Sequence, residues 1–128
     1  KEEMTKIMSL VDEGLRQGAL GVGVPVGYMT TGVTQYELYK YQELAAKYGR
    51  VTNGHVRFAG IRPPTEGQLG VQEMLANAMV LDAPFMAVHL NANMDWEYTI
   101  PMINDAREKR GAKVWGEVYP YTAGSTIA

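Results

Sequence analysis

Residues 19 to 26 read "ALGVGVPV", a short, apolar run with β-branched residues. Such a run suits a strand buried on both faces, the kind found in parallel sheets. On its N-terminal side, Met4, Ile7, Met8, Val11 and Leu15 recur at the i, i+3, i+4, i+7 spacing of an amphipathic helix, and Gly18 stands where that helix stops. On its C-terminal side the loop "GYMTTGV" (27–33) leads to Thr34, which forms a capping box with Glu37. The helix opened there is predicted to bury Leu38, Tyr41, Leu44, Ala45 and Tyr48 and to end at Gly49.

The same unit then recurs. "RVTNGHV" (50–56) reads as a strand, "RFAGIRPPTEG" (57–67) as a loop and residues 68 to 81 as a helix. "PFMAVHL" (84–90) is the next strand and "NANMDW" (91–96) its loop. Pro101 is tolerable only in a first helical turn, so the following helix is expected to start near Thr99 and to stop at Gly111. "AKVWGEVY" (112–119) is the fourth strand. Strands are therefore expected near 20–26, 51–56, 85–90 and 113–119, a period of about 30 residues, the size of a βα unit. Apolar strands alternating with helices imply an α/β fold with a parallel sheet and right-handed crossovers. Four units make a partial (β/α)8 TIM barrel, about half of a fold that typically takes about 250 residues. A small doubly wound sheet competes with it, although "GALGVGVPVG" does not place G-x-G-x-x-G in the setting that fold uses for phosphate.

With 128 residues, 46% hydrophobic and 20% charged, the chain has the composition of one globular domain or segment. A net charge of −2 with scattered Lys and Arg argues against a nucleic-acid partner. The absence of cysteine excludes disulfides, thiolate-bound zinc and a thiol nucleophile, and leaves the compartment open. The apolar runs are too short to span a membrane, and "KEEMTKIMSL" does not have the pattern of a signal peptide. Neither end reads like a natural domain boundary, so the whole of residues 1–128 is expected to be a single segment of something larger.

The only two histidines, His55 and His89, both fall at the ends of predicted strands. In either α/β architecture sites form at the carboxyl edge of the sheet. Neighbouring strands lie about 4.8 Å apart, so the two imidazoles could converge on one metal, with zinc well suited to them. Two ligands are short of a complete zinc site, and two satisfied, non-ligating histidines stand as the alternative. Asn53 and Arg57 share the face of His55 by two-residue alternation. Asn91 and Asn93 follow His89, and Asn53 and Asn91 are candidate partners for the second ring nitrogens. Tyr119, Tyr121, Ser125 and Thr126 crowd the end of the fourth strand. Glu117 is expected to point away from Tyr119 and to be structural. Trp96, Trp115, Met74, Met79 and most tyrosines are expected to be packing residues.

"GHVR" (54–57), a later strand ending in His89, and "YPYTAGST" (119–126) together resemble the D-aminoacylase group, the N-acyl-D-amino-acid deacylases of the amidohydrolase superfamily. The likeness runs from "GALGVGVPVGY" (18–28) to the C-terminus, and "YPYTAGST" is its most specific piece. The resemblance implies a metal-dependent barrel, here its strands four to seven, hydrolysing the amide of a small-molecule N-acyl-D-amino acid. It makes His55 and His89 zinc ligands of the complete enzyme and gives Tyr119 and Ser125 the substrate carboxylate to hold. Asn91 and Arg57 complete the expected substrate contacts, with Asn91 standing where the family's "SHLK"-like motif has lysine. The loop "GYMTTGV" also lacks the family's tyrosine-proline-glycine run. The family's H-x-H pair, its second-strand ligand and its general-base aspartate have no counterpart in these residues, so no catalytic residue is assigned. Two other readings remain: a non-catalytic α/β module that pairs with itself or a partner through its open sheet edge, and another amidohydrolase such as a cyclic amidase.

Overall fold

The structure is a computed structural model that describes residues 2–29, 31–58, 67–92 and 96–123. In chain order the elements are α1 (Glu2–Arg16), β1 (Gly21–Val24), α2 (Gln35–Lys47), β2 (Val51–Gly54), α3 (Gly67–Leu81), β3 (Phe85–Ala87), α4 (Trp96–Arg110) and β4 (Val114–Gly116). Short 3-10 turns at Val26–Tyr28 and Leu90–Ala92 follow β1 and β3. All four strands pair in parallel, in the order β1-β2-β3-β4. A doubly wound sheet reverses its strand order at a switch point. This sheet does not reverse, so every right-handed crossover lays its helix on the same face. Contacts run from α1 to α2, α2 to α3 and α3 to α4, as in one helical layer. This is the layout of successive units of a (β/α) barrel.

Two of the expected local signals set the helix ends. The Thr34 hydroxyl accepts from the Glu37 amide at 3.1 Å and caps α2, and Gly49 and Gly111 take positive φ at the ends of α2 and α4. No glycine follows α3. Asp82 adopts φ 48° there, its carboxylate held at 2.7 Å by Lys113, while the Ala83 amide closes onto Ala78. Helix α4 begins at Trp96 rather than near Thr99, which puts Pro101 inside it. Thr99 and Ile103, one turn apart, are both buried, and that burial holds the first turn helical despite the missing proline N–H.

Strand alternation sorts the sheet into two faces. Val22, Thr52, Phe85 and Val114 lie in register on the helix side and pack into a core with Leu38, Val56, Val71, Met74 and Ile103. Gly23, Asn53, Met86 and Trp115 form the row on the other face, where Gly23 and Trp115 are exposed. The expectation of strands buried on both faces therefore holds on the helix side only. Trp115, Trp96 and Met79 are exposed and do not join the core, unlike Met74. Gln42 is fully buried, a position the apolar pattern did not flag. Its amide donates to the Met74 carbonyl and its oxygen accepts from Asn77, which ties α2 to α3. At the margin of the layer α1 docks through Asp12, which accepts from Tyr48 at 2.8 Å. That hydroxyl, with Lys47 and Arg16, holds the Asp12 carboxyl below its ordinary value.

Candidate metal and substrate site

The regular strands stop early, at Val24, Gly54, Ala87 and Gly116, and the residues just beyond each stop build the site. His55 is tied to the end of β1 by its main chain, its amide donating to Val24 at 3.2 Å and its carbonyl accepting from Gly27 at 2.7 Å. Gly54, just before it, sits against Met74 and Val24, and a Cβ there would lie 2.8 Å from the Met74 sulfur. His89 sits in the left-handed region at φ 54°, uncommon outside glycine and characteristic of turns and functional positions.

The two imidazoles come together, with ring centroids 4.9 Å apart and planes inclined by 56°. They are the middle of a row of rings along the carboxyl edge. Tyr28 meets His55 edge-on at 5.0 Å, Tyr119 meets His89 at 5.0 Å, and Tyr121 meets Tyr119 at 5.1 Å. Each strand end thus contributes a ring to one mouth. Burial, and then the neighbouring His89 imidazole, hold the His55 pKa below its ordinary value, against an opposing pull from Glu117. A lowered pKa keeps His55 neutral at neutral pH, the form that carries a lone pair for a metal. The His89 Nδ1 is enclosed and makes no hydrogen bond of good geometry among the described residues. A close imidazole pair at one sheet edge, with burial favouring the neutral form of His55, has the donor chemistry that a transition-metal ion takes. Among the described residues no third histidine or carboxylate completes a metal-binding group.

The other expected site residues fare differently. Tyr119 lies beside His89, and its hydroxyl donates to the Ala123 carbonyl at 2.9 Å. Asn91 is at the mouth, but its side chain is paired with the Tyr119 main chain. It accepts from the Tyr119 amide at 2.6 Å and donates to the Tyr119 carbonyl at 3.0 Å. It therefore shapes the Tyr119 turn and is not the partner expected for a histidine nitrogen. Asn53 stays on the open face of β2, its side-chain oxygen over Gly23. Arg57 does not share the face of His55. Because β2 ends at Gly54, alternation no longer applies at residue 57, and the guanidinium turns back between α2 and α3. There it pairs with Glu73 at 2.8 Å and donates to the Val33 carbonyl at 2.5 Å, almost wholly buried. Asn93, Ser125 and Thr126 lie outside the described residues.

Glu117 is the residue that the sequence reading misplaced. Its phase matches Trp115 and the open face, and its carboxylate reaches His89, 3.3 Å from both the main-chain nitrogen and Nδ1. Glu117 stands two residues from both Trp115 and Tyr119, so alternation counted from either one places it on their face, toward the mouth. Tyr28, just beyond β1, was likewise passed over as a packing residue.

No protein-family model and no curated protein matches this sequence. Solved structures do resemble it. The chain superposes on an N-acyl-D-glutamate deacylase from Bordetella bronchiseptica, complexed with zinc and a phosphonate that mimics the tetrahedral intermediate. The TM-score is 0.79 at 23% identity, over 94% of this chain and 26% of that one. A D-aminoacylase said to define a novel subset of amidohydrolases gives 0.78 at 24% identity, over 96% and 26%. A D-hydantoinase gives 0.70 at 18%, over 89% and 29%. At these identities the likeness establishes the fold, and the chain spans little more than a quarter of each of these structures.

Proposed function

We propose that this chain is the metal-holding and substrate-orienting segment of a zinc-dependent amidohydrolase that hydrolyses the amide bond of N-acyl-D-amino acids. The observation that carries the reading is the pairing of His55 and His89 at one sheet edge, with ring centroids 4.9 Å apart. Support comes from the fold shared with a zinc-bound deacylase and from Tyr119, the first residue of "YPYTAGST", whose ring lies against His89. His55 and His89 each give one imidazole nitrogen to the ion. Bound zinc supplies a polarised carbonyl and a water of pKa near 7. Tyr119 and Ser125 are assigned to hold the substrate carboxylate, and the Asn91 clamp on the Tyr119 main chain sets where that tyrosine stands. Arg57, held by Glu73, supports the loop behind His55 and is not assigned to substrate.

The test uses the zinc-loaded full-length protein that carries this segment. Release of free amino acid from N-acetyl-D- and N-acetyl-L-amino acids is measured beside ring opening of a hydantoin. D-selective deacylation is expected, with His55→Ala and His89→Ala each lowering kcat/KM by at least about a hundredfold through loss of metal. Hydantoin opening without deacylation would replace this reading with that of a cyclic amidase.

A further inference from the structure

Glu117 engages the turn that carries His89 from three directions. Its amide donates to the Ala87 carbonyl at 2.8 Å, its carbonyl accepts from Leu90 at 3.0 Å, and its carboxylate accepts from the His89 amide at 3.3 Å. The same carboxylate oxygen stands 3.3 Å from His89 Nδ1. This contact is close enough for a hydrogen bond but out of line, so Nδ1 is left buried without a formed bond. A small turn of the ring would align it, the kind of tightening that site contacts undergo on loading. The positive φ of His89 is what turns its amide and its ring toward one carboxylate. Among the described residues, the Asn91 amide is committed to the Tyr119 main chain and the Tyr119 hydroxyl to the Ala123 carbonyl.

We propose that Glu117 is the positioning residue of His89: it selects the imidazole tautomer with the proton on Nδ1 and so leaves Nε2 as the nitrogen offered to a metal. An ionised carboxylate can only accept, so the nitrogen facing it must carry hydrogen. The other nitrogen then keeps its lone pair. The metal half of this inference rests on His55 and His89 acting as a ligand pair; the tautomer half does not.

The tautomer is read on the metal-free chain by long-range nitrogen–carbon-proton correlation NMR of the histidine rings. The pH is held at about 8.5, well above the ordinary histidine pKa. Wild-type His89 is expected as the Nδ1–H form. In Glu117→Ala it is expected to move to the Nε2–H form, with His55 unchanged. Glu117→Gln keeps the main-chain bonds and side-chain length but can donate as well as accept, so a partial move is expected. That variant decides the comparison alone if circular dichroism shows the alanine variant unfolded. Zinc titration of the full-length protein that carries this segment should give binding roughly 10- to 100-fold weaker in Glu117→Ala, the usual loss for an outer carboxylate partner. An Nε2–H form in the wild type, or His89 unmoved in both variants, overturns the positioning role. If the tautomer shifts while the wild-type full-length protein that carries this segment takes up no zinc, the positioning role stands and the metal assignment falls.

Discussion

Asn91 shows how a residue set down as a substrate contact can serve the main chain instead. Its amide group joins the turn after β3 to the turn after β4 through both polar groups of Tyr119. Each such hydrogen bond contributes about 1 kcal/mol net, less where water can replace it. Asn91→Ala is therefore expected to lower stability by about 1–2 kcal/mol in urea unfolding, and to broaden the Tyr119 ring signals by NMR. Unchanged stability together with unchanged Tyr119 signals would contradict the clamp. At this scale the sequence was partly legible. Two histidines at equivalent strand ends foretold their approach, because strand spacing is constant wherever strands are parallel. Arg57 was not legible, because side-chain direction beyond the last paired residue is set by the turn and no longer by alternation, whereas the face of Glu117 was legible from its two-residue spacing to Trp115 and Tyr119.

Of the described glycines, Gly70 leaves a Cβ the least room, where α3 meets the turn after β2. Gly70, in the first turn of α3, packs against the Arg57 main chain so tightly that a Cβ would collide with the Arg57 carbonyl oxygen and lie 2.8 Å from its nitrogen. These are backbone atoms, so the collision can be relieved only by moving the helix or the turn. Gly70→Ala is expected to cost about 1–3 kcal/mol, measured by denaturant unfolding, the range for overpacking a close contact. It should also shift the His55 ring resonances, since the displaced turn begins two residues after that histidine. Helices were well foretold, because caps, glycine stops and 3.6-residue periodicity act within a few residues. The start of α4 was missed, since burial of Thr99 and Ile103 is a tertiary gain that proline chemistry alone does not register. The exposure of Trp96, Trp115 and Met79 was missed for the converse reason. An apolar residue marks a surface that can be buried, not one that is.

For the molecule as a whole, the described residues bring two imidazoles and one nearby carboxylate to the mouth, but no third metal ligand and no group placed as general base. The isolated 128-residue chain is accordingly expected not to hydrolyse N-acyl-D-amino acids. Zinc-dependent turnover by the purified chain, abolished by a chelator and by His55→Ala, would show that expectation wrong. The repeat of strand, loop, helix and stop determined, from sequence alone, an α/β chain of parallel strands with both histidines at strand ends. These are consequences of local periodicity and of how a strand must leave a sheet. Only the tertiary structure chose between barrel-like and doubly wound order, because both use the same βα unit and differ solely in which strands become neighbours. Only it seated Glu117 on His89 and drew Arg57 away to Glu73, since those contacts join segments 28 and 16 residues apart whose side chains meet only once the sheet and its helices have packed.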